Sequence, residues 1–208
     1  MDTQISVRIS RKAVEATDIV SLELAPLESA SLPPFSAGSH IDVEVKPGLV
    51  RQYSLCNDPT ESHRYLIGVL RDPASRGGST AVHELLQEGQ VLRIGAPRNH
   101  FALVPAGRSL LFAGGIGVTP ILCMAERLAQ SGADFEMHYC ARSADRAAFV
   151  ERIRASRFAD RVHFHYDDGD TAQKLKLAEV LAGAAADTHL YVCGPGGFID
   201  FVTQGAAK

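Results

Sequence analysis

Residues Leu110–Met124, LLFAGGIGVTPILCM, decide the reading of this chain. The apolar run Leu110-Leu111-Phe112-Ala113 reads as a buried strand. Gly114, Gly115 and Gly117 then let the backbone turn sharply, with no Cβ in the way of a ligand. Thr119 and Pro120 open an apolar-periodic helix, with Pro in the first turn where its missing N–H costs nothing. A strand, a glycine turn and a helix N-terminus in that order present amide donors and a positive dipole end to a phosphate. The pattern is GGxGxTP rather than the dinucleotide fingerprint GxGxxG. By itself it reads equally as a nucleotide turn or as a packing device between strand and helix.

The 208 residues have room for one large or two small domains, each able to bury a core. Hydrophobic residues make up 46% and charged residues 22%, ordinary for a globular protein. The net charge of −3 leaves no basic footprint for nucleic acid. No apolar run approaches the ~20 residues that span a bilayer, and the opening MDTQISVRISRK lacks the apolar core of a signal peptide. The expectation is a cytoplasmic protein with no membrane partner. The four cysteines, at 56, 123, 140 and 193, are never two residues apart, so no zinc ribbon or clustered iron–sulfur site is encoded and no metal is assigned. Cys123 and Cys140 sit in apolar patterns and read as buried free thiols.

Residues 1–103 are mostly β. Ile5, Val7 and Ile9 alternate with polar neighbours, as do Val20, Leu22 and Leu24, and Ile41, Val43 and Val45. Arg51–Leu55, Tyr65–Leu70 and Val91–Ile94 supply three more strands. One helix, Ser79–Gln87, interrupts them, with Gly89 just past its end. Many short strands with one helix predict a small closed β-barrel. From 104 to 208 strands and helices alternate: Leu110–Ala113, helix 119–130, Phe135–Ala141, helix 144–155, Val162–Tyr166, helix 174–183, Leu190–Cys193, and a last helix from Gly197. The fold class is therefore an antiparallel β-barrel followed by a Rossmann-like α/β domain. Its parallel sheet would carry ligands at the strand C-termini.

Three further stretches carry chemistry. Arg51-Gln-Tyr-Ser-Leu55 puts Arg51, Tyr53 and Leu55 on one side of a strand and Gln52 and Ser54 on the other; it reads as a barrel strand with a core tyrosine or as a ligand-facing edge. Arg76-Gly77-Gly78-Ser79-Thr80 reads as a loop with a Ser or Thr N-cap, or as a phosphate cradle made of helix amides and a guanidinium. Cys193-Gly194-Pro-Gly-Gly-Phe198 reads as a buried thiol before a turn, or as a thiol at the ligand-bearing edge.

In this order and spacing, RxYSL, RGGST, PRNHF, GGIGVTP and CGPGGF make the chain resemble the ferredoxin–NADP⁺ reductase superfamily over essentially its whole length. Within it the chain is similar to the FMN-containing reductases of Rieske-type oxygenases, the phthalate dioxygenase and vanillate demethylase reductase group. The resemblance implies Arg51 at the flavin phosphate end, Tyr53 against the isoalloxazine, Ser54 near N5, and Arg76, Gly77, Gly78, Ser79 and Thr80 as the phosphate cradle. One phosphate with no evident adenine pocket favours FMN over FAD. Pro97–Phe101 would lie close to the flavin. Gly114, Gly115, Gly117 and Thr119 match the NAD pyrophosphate turn, and Cys193 and Gly194 the segment beside the nicotinamide, with Phe198 close by. Ser54 and Cys193 are thus the implied catalytic pair. Arg142, Ser143 and Asp145 fall where the family reads the adenosine ribose. An acidic residue there would accept from the ribose hydroxyls and repel a 2′-phosphate, whereas Arg142 and Ser143 could welcome one. NADH is preferred to NADPH. The acidic Tyr166–Asp170 stretch reads as a solvated loop rather than a metal site, and His40, His83 and His100 as hydrogen-bonded histidines.

The implied activity is electron transfer from NADH through FMN to a 2Fe–2S centre and on to a terminal Rieske-type oxygenase. With no obvious seam of exposed apolar residues in the sequence, a monomer is expected. Family members continue past CGP into a further helix–strand segment and a plant-type ferredoxin domain. None of these cysteines can supply that cluster. The ending inside an expected element leads to the expectation of a second domain truncated at its C-terminal end, with a separate iron–sulfur partner as the alternative. Two alternatives stay open: an FAD-containing diaphorase or flavin reductase-like module, and a non-catalytic flavin- or nucleotide-binding regulatory subunit.

Overall fold

Alternating side chains along the first hundred residues give strands with one face in a core. The computed structural model describes residues 4–207 and divides into two units, the first running to Leu103 and the second beginning at Val104. The first contains β1 (Gln4–Ala16), β2 (Ile19–Pro26), β3 (Ser39–Lys46), β4 (Leu49–Ser54), β5 (Tyr65–Leu70), α1 (Gly78–Leu85), β6 (Val91–Gly95) and the two-residue β7 (Arg98–Asn99). The strands are ordered β4-β3-β6-β1-β2-β5, all pairs antiparallel, with β7 on β3. A bridge between Leu55 and Ile67 and the Cys56 N–H to Leu66 carbonyl bond (2.9 Å) bring the two ends together and close the barrel. The period of two is plainest in β3, where Ile41, Val43 and Val45 are buried and His40, Asp42 and Glu44 are not. Val7, Ile9, Leu22, Leu24, Ile67 and Ile94 complete the core with Val82 of α1.

Closure depends on a residue outside the alternating pattern. Asn57 is fully buried; its Oδ1 accepts the Leu66 N–H (3.0 Å) and its Nδ2 donates to the Arg64 carbonyl (3.1 Å) and Glu61 (3.1 Å). A buried amide with these bonds is satisfied, and losing it would orphan the groups it serves.

The second unit contains β8 (Arg108–Gly114), α2 (Val118–Ser131), β9 (Phe135–Ala141), α3 (Val150–Arg154), β10 (Val162–Tyr166), α4 (Leu177–Ala182), β11 (Thr188–Cys193) and α5 (Gly196–Ala206). Its four strands are parallel in the order β10-β9-β8-β11. Leu110 and Phe112 of β8 pack with Leu177 of α4 and Val202 of α5. Leu111 and Ala113 point to the opposite face, and α2 is buried from Val118 through Ala125. The chain leaves β8 one way to β9 and returns on its other side as β11. The C-termini of β8 and β11 therefore flank the crevice where such sheets bind ligands. Among the described residues no helix is long and apolar enough to cross a membrane.

Several helix limits differ from the periodicity. α1 stops at Leu85, with Leu86 already extended, so Gly89 (φ +85°) belongs to the following turn rather than to a helix cap. The helix expected over 144–155 is a 3₁₀ turn at Ala144–Arg146 followed by the five-residue α3. The Tyr139 hydroxyl takes the Ala148 N–H (2.9 Å) and Phe149 adopts φ +61°, both incompatible with a continuous helix. The helix expected over 174–183 shortens to Leu177–Ala182 because Lys174 and Lys176 are not helical. Cys123 is buried, but Cys140 is only half-buried; none of the four cysteines is in a disulfide.

Candidate functional site

In the first unit the local chemistry converges on the N-terminus of α1. Gly77 is its N-cap, in a left-handed conformation (φ +85°) with no side-chain cap, so Ser79 and Thr80 lie inside the first turn instead of capping it. The first-turn amides of Gly78, Ser79 and Thr80 have no acceptor within the helix. Arg51 of β4 lies across this end: a Cβ on Gly78 would meet Arg51 Nε at 2.5 Å and Cγ at 2.7 Å. Its guanidinium donates to the carbonyls of Val50 (2.8 Å) and Arg76 (3.3 Å). The Arg76 side chain is exposed, and Ser79 Oγ accepts the Asp72 N–H (3.1 Å), tying the preceding loop to the helix.

This is an electrostatic mismatch with a chemical meaning. A helix N-terminus is the positive end of its dipole and favours an anion. Here a cation stands at it instead, and only glycine at 78 leaves that cation room. Amide donors plus an arginine on one spot fit a phosphate.

Tyr53 and Ser54 follow Arg51 on the same strand. Tyr53 is half-buried against the barrel core, and burial pushes its phenol up to about 12, so it is un-ionised at neutral pH. Ser54 pairs across the strands with His40, which in turn pairs with Arg98. Arg98 donates to Asp42 (2.6 Å), and His40 and His100 face each other at 5.4 Å. Burial first, then the nearby Arg98 and His100 charges, lower the His40 pKa. Pro97–Phe101 is fixed by Asn99, whose side chain donates to Ser36 (2.7 Å) and the Ala37 carbonyl (2.9 Å). Gly38 (φ +93°) makes this approach possible, because a Cβ there would sit 1.9 Å from the Phe101 carbonyl oxygen. His83 bonds the Val69 carbonyl (2.9 Å), linking α1 to β5.

In the second unit the glycines of the two turns divide into two kinds. Gly114, Gly117 and Gly194 pack the turns together: a Cβ on Gly117 would lie 2.1 Å from the Cys193 carbonyl oxygen, one on Gly194 2.9 Å from Gly114 Cα, and one on Gly114 2.7 Å from the Phe198 ring. A Cβ added to Gly115 (φ +53°), Gly196 or Gly197 would meet nothing within 4 Å, so their backbones face open space. Thr119 is buried and its hydroxyl donates to the Ile116 carbonyl (3.0 Å), an acceptor that Pro120, lacking an N–H, cannot serve. The structure thus gathers Gly114, Gly117, Cys193, Gly194 and Phe198 at the crevice between β8 and β11. Burial raises the Cys193 thiol pKa.

Arg142, Ser143 and Asp145 follow β9. The Arg142 carbonyl accepts the Asp168 N–H (3.1 Å) and Ser143 donates to the Asp145 carboxylate. Arg142, Asp145 and the loop carboxylates Asp167, Asp168 and Asp170 are exposed. One cluster had no signal in the motifs. Glu136 and His138 of β9 and His163 and His165 of β10 share a face of the sheet. His138 stacks on Phe112, His163 and His165 at 5.1–5.4 Å, and His163 reaches Glu136 at 2.9 Å. The alternation H-x-H in β10 against E-x-H in β9 was its only trace.

The family model of the oxidoreductase NAD-binding domain matches residues 111–204. Vanillate O-demethylase oxidoreductase of Pseudomonas putida is 63% identical over 194 residues, covering 92% of this chain and 60% of that protein. Its namesake from Pseudomonas sp. strain HR199 is 57% identical over 205 residues, 98% of this chain and 65% of that protein. The solved structure of phthalate dioxygenase reductase, described as a modular structure for electron transfer from pyridine nucleotides to a 2Fe–2S centre, superposes with a TM-score of 0.92 at 36% identity, covering 98% of this chain and 64% of that one. The chain spans roughly three-fifths of the length of these relatives.

Proposed function

We propose that this chain belongs with vanillate O-demethylase oxidoreductase and phthalate dioxygenase reductase, which it resembles over most of its length, and that it is the NADH-oxidising part of such an oxygenase system. In this reading the first unit holds FMN and the second holds NADH, and the electrons leave for an iron–sulfur acceptor that serves a Rieske-type oxygenase. A bound flavin supplies the chemistry that joins a two-electron hydride donor to a one-electron acceptor.

The chain's own residues bind and orient. Arg51 and the Gly78–Thr80 amides hold the phosphate, Tyr53 lays an un-ionised aromatic ring beside the flavin, and Ser54 offers a hydroxyl at its reactive edge. Gly115 and the N-terminus of α2 take the dinucleotide pyrophosphate. Cys193, a neutral and polarizable side chain at the end of β11, stands beside the nicotinamide, with Phe198 next to it. No side chain is asked to move a proton. Asp145 disfavours a 2′-phosphate, which supports NADH, and Arg142 moderates that preference.

The observation that carries the proposal is the guanidinium of Arg51 over the positive end of α1, an arrangement that an anion stabilises. FMN and riboflavin differ only in that anion, so their affinities test it. Flavin-free protein should bind FMN more tightly than riboflavin. Arg51→Ala should remove most of the difference, about 1.5–3 kcal/mol for hydrogen bonds to a charged group. Equal affinities in the unaltered protein would refute the phosphate site.

A further inference from the structure

The helix that carries the cradle is too short to hold its own position. α1 has eight residues, and helices below ~12–15 residues are marginal in water without tertiary support. Its last carbonyls have no helical donors. One side chain serves them: Lys12, from the middle of β1, donates from Nζ to the carbonyls of Val82 (3.0 Å), His83 (2.7 Å) and Leu86 (2.7 Å). An ammonium has three protons, and all three are committed here. The Lys12 backbone is held as well, its N–H donating to Glu88 Oε1 (2.8 Å) in the turn that follows the helix. Lys12 lies between two irregularities in the β1–β2 ladder, Ile9/Arg11 and Val14/Ala16.

The two ends of α1 are therefore each met by a cation from a barrel strand, Lys12 from β1 and Arg51 from β4. Lys12 agrees with the dipole and satisfies carbonyls; Arg51 opposes it and needs a ligand. The helix rises about 12 Å over eight residues, so a displacement of its C-terminal turn carries the first-turn amides with it.

We infer that Lys12 is a positioning residue for the phosphate site, clamping the C-terminus of α1 so that the Gly78–Thr80 amides and Arg51 converge on one anion. The inference rests on the phosphate reading given above. It assigns a binding role to a residue that touches no ligand and is separated by some seventy positions from the carbonyls it serves.

The test is the ratio of FMN to riboflavin affinity, titrated below the unfolding transition of each protein. General destabilisation weakens both flavins alike, whereas misplacing the cradle weakens FMN alone. Lys12→Met should lower the FMN affinity about tenfold with riboflavin little changed, and Lys12→Arg should restore most of the loss. Amide exchange at residues 78–80 should speed up in Lys12→Met and return toward normal in Lys12→Arg. Lys12→Gln, which keeps two donors without the charge, serves if the methionine variant does not fold, with an intermediate loss expected. An unaltered ratio in the Lys12 variants, where Arg51→Ala abolishes it, would overturn the inference and leave Lys12 purely structural. An unaltered ratio in Arg51→Ala would instead remove the phosphate reading on which the inference rests.

Discussion

Arg51 shows how a single glycine decides where a charge can stand. Any side chain at 78 would occupy the space of the Arg51 guanidinium. Gly78→Ala should therefore displace Arg51 and weaken FMN binding by about tenfold or more, the loss expected for one charge-assisted contact; fluorescence titration of the flavin reads it directly. At Cys193, burial holds the thiol protonated at neutral pH. Cys193→Ser should slow reduction by NADH about tenfold, ~1.4 kcal/mol of barrier, while flavin content stays constant; loss of flavin would show the cysteine to be structural. Arg51, Gly78 and Cys193 stand out as candidates in the sequence because their motifs are local. Lys12 and Asn57 were not, because neither polar residue carries a local pattern that points to its partners.

At the scale of elements, strands were read more accurately than helices. Phe135–Ala141 and Val162–Tyr166 have the limits their apolar patterns indicated. α3 and α4 came out short because tertiary bonds, such as Tyr139 to Ala148, outweigh local periodicity. The glycine turns illustrate the same point, since spacing cannot separate a packing glycine from an open one. Gly117→Ala should destabilise the β8–β11 junction strongly, whereas Gly115→Ala meets no neighbour and should cost only about 1–2 kcal/mol for its left-handed backbone; thermal unfolding distinguishes them. The β9–β10 histidines add a pH dependence. The Gln173 carbonyl fixes a proton on His165 Nδ1, so a neutral His165 accepts from His138 Nδ1–H, leaving His138 Nε2 without a proton. Burial first, then the charges of His165, His163 and Arg108, push the His138 pKa down to about 3. The unfolded chain takes up this proton near pH ~6.5, so His138 costs nothing above that pH and lowers stability progressively as pH falls from there toward about 3. The slope should reach ~1.4 kcal/mol per pH unit. Denaturant unfolding at pH 7 and pH 5 measures it, and His138→Phe should flatten the slope.

For the whole molecule, the succession of an antiparallel barrel and a parallel α/β sheet was legible because the period changes from two to a strand–helix alternation after residue 108. Each unit has its own core and its own glycine-bearing turn at a helix N-terminus: α1 with Arg51 in the first, and the β8–α2 turn in the second. Under the proposed function NADH should support faster reduction of one-electron dyes than NADPH, and Asp145→Asn should narrow the gap if its carboxylate sets that preference; steady-state rates with both nucleotides check this. The proposed function requires one chain to join a flavin to a pyridine nucleotide. Its most direct test is the visible absorbance of the purified protein, supplemented with FMN and then mixed anaerobically with NADH. The expected result is a bound-flavin spectrum that bleaches on mixing. A protein that binds no flavin, or whose bound flavin keeps its colour in excess NADH, would refute that function.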